Sequence, residues 1–118
     1  MLISVTQPSD QPSACCPPQG GGGPLTPQAI RDLAIRLKAI ADPVRLQLLT
    51  FLLEQPDLES CTCNLAPIVN LSEPTVSHHL KKLEASGLLT KERRGMSVYY
   101  RVIPESIHSI ANALHFER

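Results

Sequence analysis

Four cysteines fall in two close pairs, Cys15/Cys16 and Cys61/Cys63, and they are the side chains best suited to chemistry in this sequence. Thiolates select soft ions, and three or four are needed to hold one against competing thiols, so neither pair suffices alone. Three in a pyramid suit As(III) or Sb(III), whereas four suit Cd(II), Pb(II) or Zn(II), and the cysteine count allows both. The opening residues, Met1-Leu2-Ile3-Ser4-Val5, lack a basic segment and an apolar run of signal-peptide length. The expectation is therefore a cytoplasmic protein whose cysteines are thiols rather than a disulfide framework. Sensing by oxidation of Cys15/Cys16 or Cys61/Cys63 ranks second, because near-adjacent cysteines close strained rings.

A second chemistry is written between Ser72 and Arg94. Ser72 reads as a helix N-cap, with Glu73 and Pro74 in the first turn, where a carboxylate meets the positive helix end and a missing amide hydrogen costs nothing. Val76, Leu80 and Leu83 make one buried edge, which leaves Thr75, Ser77, His78, His79, Lys81 and Lys82 on the other faces. Thr75, Ser77 and His78 suit contact with base edges, while Lys81, Lys82, Arg93 and Arg94 suit neutralisation of phosphates. Eleven basic and eleven acidic residues give zero net charge, yet residues 81–101 hold six cations against two carboxylates. The basic charge is regional, as a nucleic-acid face requires.

Other elements must position these groups. Residues 1–26 contain five prolines, four consecutive glycines and a single charge, so they read as a flexible arm carrying Cys15/Cys16. Residues 27–118 form the folded part. Thr26 and Pro27 start a first helix with Ile30, Leu33, Ala34, Leu37 and Ile40 as its stripe. Asp42-Pro43 restarts a second helix, apolar on most sides, which belongs in a core. A short third helix covers residues 65–69. After Gly87, residues 88–93 and 97–102 read as a β-hairpin with the basic tip Arg93-Arg94-Gly95-Met96. Ile103-Pro104-Glu105 opens a last helix with Ile107, Ile110, Ala111 and Leu114 apolar. This order predicts a mainly α winged helix-turn-helix with one small β-hairpin, and a body this small favours pairing of two copies.

Ala41-Asp42-Pro43-Val44-Arg45-Leu46, the run from Leu71 through Ser72-Glu73-Pro74-Thr75-Val76-Ser77-His78-His79 to Leu83, Gly87-Leu88-Leu89 and Val98-Tyr99-Tyr100 together resemble the ArsR/SmtB family of metal-sensing repressors. The resemblance covers residues 28–116. It implies a homodimer built on the first and last helices, with two recognition helices in successive major grooves of an imperfectly palindromic double-stranded operator. Glu73 stands where family members often carry glutamine, which leaves it a capping role. Cys61-Thr62-Cys63 resembles the family's third-helix sensor motif, with Asn64 at its acidic position. Cys15-Cys16 resembles an N-terminal pair that some arsenic sensors of the family combine with a thiol of the other subunit. His108 and His115, seven apart on the last helix, match the family's zinc pattern poorly, since Ser106 and Arg118 occupy its acidic positions.

The ten residues between Cys16 and Pro27 span roughly 33 Å if extended, enough to bring the arm's sulfurs across a small dimer. An ion held by Cys15, Cys16, Cys61 and Cys63 would favour the DNA-free shape by drawing the arm onto the third helix. Nothing resembles a phosphate loop, a hydrolase elbow or a hydride-cofactor site, so the sequence is not read as an enzyme, nor does any apolar run reach membrane-spanning length.

Overall fold

Pro27, Pro43, Pro74 and Pro104 each sit in the first turn of a helix, where an amide hydrogen would have had no intrahelical partner. A computed structural model describes residues 25–116. It contains α1 (Pro27–Ile40), α2 (Pro43–Leu53), α3 (Thr62–Val69), α4 (Glu73–Ala85) and α5 (Pro104–Ala113). The expected caps are present: Thr26 Oγ1 accepts from the Ala29 amide at 3.1 Å, and Ser72 Oγ from the Thr75 amide at 3.4 Å. The arm assigned to residues 1–26 lies outside the described residues, apart from its last two.

The sheet is larger than the hairpin expected. Three antiparallel strands, β1 (Glu59–Cys61), β2 (Leu89–Arg94) and β3 (Ser97–Val102), lie in the order β1-β3-β2. β1 is too short to show an alternating pattern, and the positive φ of Leu58 (59°) swings the chain into it straight after the turn that ends α2. Third-helix residues begin at Thr62 rather than at 65, since Cys61 is extended (φ −83°, ψ 158°) and its Sγ caps the helix through the Asn64 amide at 3.3 Å.

The core lies where α2, α3, α4 and the sheet meet. Leu48, Leu52, Leu65, Val76, Leu80, Leu83 and Leu88 are fully buried there, with Tyr100 and Val102 closing it from β3. The α4 edge read from spacing is thus the buried one. The expectation for α2 is half met: Leu48, Leu49 and Leu52 are inside, while Leu46 and Leu53 are exposed. Between α3 and α4, Asn70 takes the left-handed conformation (φ 57°) that turns the chain, and the Leu71 amide bonds the Ala66 carbonyl. Gly87 (φ 89°) does the same after α4, and its carbonyl accepts from Ser106 Oγ at 2.6 Å, pinning the start of α5 to the end of α4.

Two helices contribute little to that core. No α1 residue is buried, and Ile30, Ile35 and Leu37 stand 49%, 53% and 37% exposed. In α5 only Ser106 is buried. α5 ends at Ala113, with Leu114 as its cap, so His115 follows the helix instead of sharing a face with His108. Among the described residues no helix is long and apolar enough to cross a membrane.

Candidate nucleic-acid interface and thiol site

α3 and α4 form the helix-turn-helix, and the β2–β3 hairpin stands beside them as a wing. On α4, Thr75, His78, Lys81 and Lys82 are all exposed, and Thr75, His78 and Lys82 follow one helical face. Ser72 spends its hydroxyl locally, donating to Thr75 Oγ1 at 2.9 Å while capping the helix. Ser77 is half-buried, with the buried Tyr100 phenol near its hydroxyl. Burial, then the nearby Glu84 carboxylate, pushes the Tyr100 phenol above its ordinary range, and the Ser77 hydroxyl opposes them. Of the short side chains expected at base edges, the structure therefore leaves Thr75 and His78 exposed and half-buries Ser77.

The second histidine of α4 turns away from that face. His79 Nδ1 lies 3.3 Å from an Arg45 guanidinium nitrogen and 4.0 Å from Asp42 Oδ2. Asp42 caps α2 by accepting from the Val44 and Arg45 amides, both at 3.1 Å. Arg45 Nε donates to the Ala39 carbonyl at 2.6 Å, in the last turn of α1. Carbonyl end of α1, capped start of α2 and middle of α4 thus converge on three side chains. The Arg45 amide bond, more than any other influence, holds the Asp42 carboxyl below its ordinary range. The Asp42-Pro43 break announced a helix start, whereas nothing local announced that His79, 34 residues from Arg45, would join it.

The four wing and helix cations differ in what they do. Lys81, Lys82 and Arg93 are exposed, and Arg93 makes a long 3.5 Å bond to the Gly95 carbonyl. Arg94 is engaged: its two terminal nitrogens donate to the two Glu59 carboxylate oxygens at 2.8 Å each. Glu92 accepts from it at 2.9 and 3.2 Å, and the guanidinium lies 4.4 Å from the Tyr99 ring centroid. The Arg94 hydrogen bonds hold the Glu59 carboxyl low and raise the Arg94 value in turn. Sequence reasoning placed Arg94 at the basic tip and missed Glu59, because a partner 35 residues away leaves no local pattern.

Cys61 and Cys63 meet at the junction of β1 and α3. Their Cα atoms are 5.3 Å apart and their sulfurs are joined in a disulfide, a difference from the separate thiols expected. The turn from extended Cys61 into helical Cys63 supplies that proximity. Cys61 is buried and Cys63 exposed. Cys63 and Thr62 line a cleft of about 400 Å³ with Glu73, Pro74 and Ser77 of α4 and Met96, Ser97 and Val98 of the wing. One opening thus borders Cys63, the recognition helix and the wing. Among the described residues no three His, Cys, Asp or Glu side chains gather as a metal site. Cys15 and Cys16 lie outside the described residues.

Residues 42–91 match the family model described as bacterial regulatory protein, arsR family. An arsenic resistance transcriptional regulator of Pseudomonas putida is 37% identical over 71 residues, 60% of this chain and 54% of that protein. The arsenical resistance operon repressor of Bacillus subtilis is 30% identical over 83 residues, 70% of this chain and 77% of that protein. The match to the Pseudomonas protein spans little more than half of that protein's length. Among solved structures, the homodimeric winged helix-turn-helix DNA-binding domain of a Mycobacterium bovis protein superposes with a TM-score of 0.62 at 24% identity, covering 77% of this chain and 91% of that one.

Proposed function

Because this chain belongs to the ArsR family of bacterial regulatory proteins, a family of helix-turn-helix transcriptional regulators and not of enzymes, we propose that it is a homodimeric repressor that releases operator DNA when cysteine thiolates capture As(III) or Sb(III). The observation that carries this reading is the shared cleft: Cys63 borders the same opening as the N-terminal turn of α4 and the wing. A change at the cysteines therefore acts beside the surfaces that grip DNA.

Thr75 and His78 read base edges, Lys81, Lys82 and Arg93 meet phosphates, and Ser72, Ser77 and Glu73 hold the helix start in place. The exposed apolar residues of α1, with the half-buried Ile107 and Ile110 of α5 and Leu114 at its end, supply the contact between copies, which spaces two recognition helices for an imperfect palindrome. The structurally similar M. bovis domain is homodimeric.

Ion capture belongs to the reduced protein, since a disulfide sulfur is not a thiolate. Once opened, Cys61 and Cys63 offer two soft donors at one place, and a third comes from Cys15 or Cys16 on the arm of residues 1–26, of the same or the partner subunit. Two sulfurs plus one suit a pyramidal metalloid; recruitment of all four would suit Cd(II), Pb(II) or Zn(II) instead. A coupling of about 2 to 3 kcal/mol lowers operator affinity about 30- to 150-fold.

The Cys61–Cys63 disulfide favours a second reading, in which oxidation itself is sensed. One titration separates the two. Reduced protein on a labelled palindromic fragment is treated with arsenite, antimonite, cadmium, lead, zinc or peroxide, and thiolate-to-metal absorption counts the sulfur ligands. Release by arsenite, lost in Cys61→Ser and Cys63→Ser, supports the first reading. Release by peroxide alone supports the second, and an operator affinity that no treatment alters rejects both.

A further inference from the structure

We propose that Arg94 is a positioning residue and not a phosphate ligand: it latches the wing to β1, the strand that ends in Cys61, and so conveys the state of the cysteine pair to the hairpin that grips DNA. This rests on the operator-binding reading above and adds the route by which the site is regulated.

Strand register places the parts on one face. Cys61 is opposite Tyr99 across β1 and β3, and Tyr99 is opposite Glu92 across β3 and β2. Alternate residues along a strand share a face, so Glu59 joins Cys61 and Arg94 joins Glu92 there. From one edge of the sheet Arg94 passes over Tyr99 on the middle strand and pairs with Glu59 on the far edge. Its side chain is the strut that spans all three strands.

That strut has little left to give a phosphate. A guanidinium carries five N–H donors, and four of Arg94's are directed at Glu59 and Glu92. The two carboxylates beside it would also repel an incoming phosphate. Surface ion pairs are ordinarily weak, but a two-pronged pair shared with a second carboxylate and backed by an aromatic ring holds a defined geometry. Arg93, one residue earlier, projects to the opposite face, and among the described residues no carboxylate pairs with it. The wing thus divides its work: Arg93 meets DNA and Arg94 sets the angle at which it does so. When a dithiol reductant opens the disulfide, being itself oxidised to a disulfide as Cys61 and Cys63 become thiols, or when the deprotonated thiolates close on an ion, the end of β1 shifts against Tyr99 and carries Glu59 with it. The latch then holds the wing at a different angle.

The test is operator affinity across a salt series with the full ion-free chain. Arg93→Ala should lower the slope of log affinity against log salt by about one. Arg94→Ala and Glu59→Gln should each weaken binding about fivefold at every salt concentration with the slope unchanged, and the double variant should be no weaker than either single. Arg94→Lys keeps the charge but lacks the planar fork, so it should behave as Arg94→Ala does. A slope flattened by Arg94→Ala, or tighter binding in Glu59→Gln as a freed arginine finds a phosphate, overturns the proposal. Should Glu59→Gln not fold, Arg94→Lys decides alone, since a phosphate ligand would tolerate it. Arsenite forms a separate arm: the latch predicts that release seen in the parent chain shrinks in Arg94→Lys. If no ion releases the parent chain the sensing reading fails, while the salt slopes still decide Arg94.

Discussion

α4 and α1 are both amphipathic helices opened by a cap and a proline, and they use their apolar stripes in opposite ways. α4 sinks Val76, Leu80 and Leu83 completely into its own chain and turns Thr75, His78, Lys81 and Lys82 outward. α1 buries no residue fully and leaves Ile30 and Leu37 of its stripe exposed. The pattern of periodicity is alike in the two, so periodicity reports that a face will be covered and not by what. In α4 the cover is the chain itself; in α1 it is supplied, on the reading given above, by a second copy.

The largest effect should come from breaking the α4 side of this contrast. Leu80→Ala empties a fully enclosed position and should cost about 3 kcal/mol or more, read as a fall in the urea midpoint. On the α1 side, Ile30→Asp should spare folding of the chain but raise the dimer dissociation constant at least about tenfold, because a buried unpaired charge costs more than about 1.4 kcal/mol; sedimentation would measure it, and an unchanged dimer would mean that α1 pairs with something else. Lys82→Ala should weaken binding to every duplex alike and reduce the salt slope by about one, without altering base preference.

The smallest effect concerns the joint between the two helices. Asp42 has a folded-state value below its ordinary one, so its contribution to stability is complete above about pH 3.9, the ordinary value, and fades as the pH falls through the depressed one. Asp42→Asn keeps an oxygen for the α2 cap yet removes that acid sensitivity. An acid-unfolding curve of the variant that matches the parent's would show that the link between α1, α2 and His79 does not rest on the carboxylate's charge.

Local grammar made much of this legible. Thr26-Pro27 and Ser72-Glu73-Pro74 carry their helix starts within a few residues, and the spacing of Val76, Leu80 and Leu83 gives the buried edge without reference to any partner. What escaped depended on distance along the chain. β1 exists because β3 pairs with it, and three residues hold no pattern of their own. The Arg94–Glu59 pair and the His79–Arg45 contact join residues more than thirty apart. Cys61 and Cys63 were recognisable as a pair by spacing, but their bonding depended on Cys61 being extended while Cys63 is helical, a boundary that composition does not mark. Ser77 was read as facing outward from its type, and the structure half-buries it near Tyr100.

A three-stranded sheet leaves two rows of unpaired backbone groups, and either could template another molecule's strand. On one side β1 is only three residues long and runs straight into a helix, too brief a row to zip onto. On the other, β2 lines its row with Thr90, Lys91, Glu92, Arg93 and Arg94, charges that any incoming strand would have to desolvate. The hairpin can therefore jut from the body without becoming a seed for fibrous association, even where many copies crowd together.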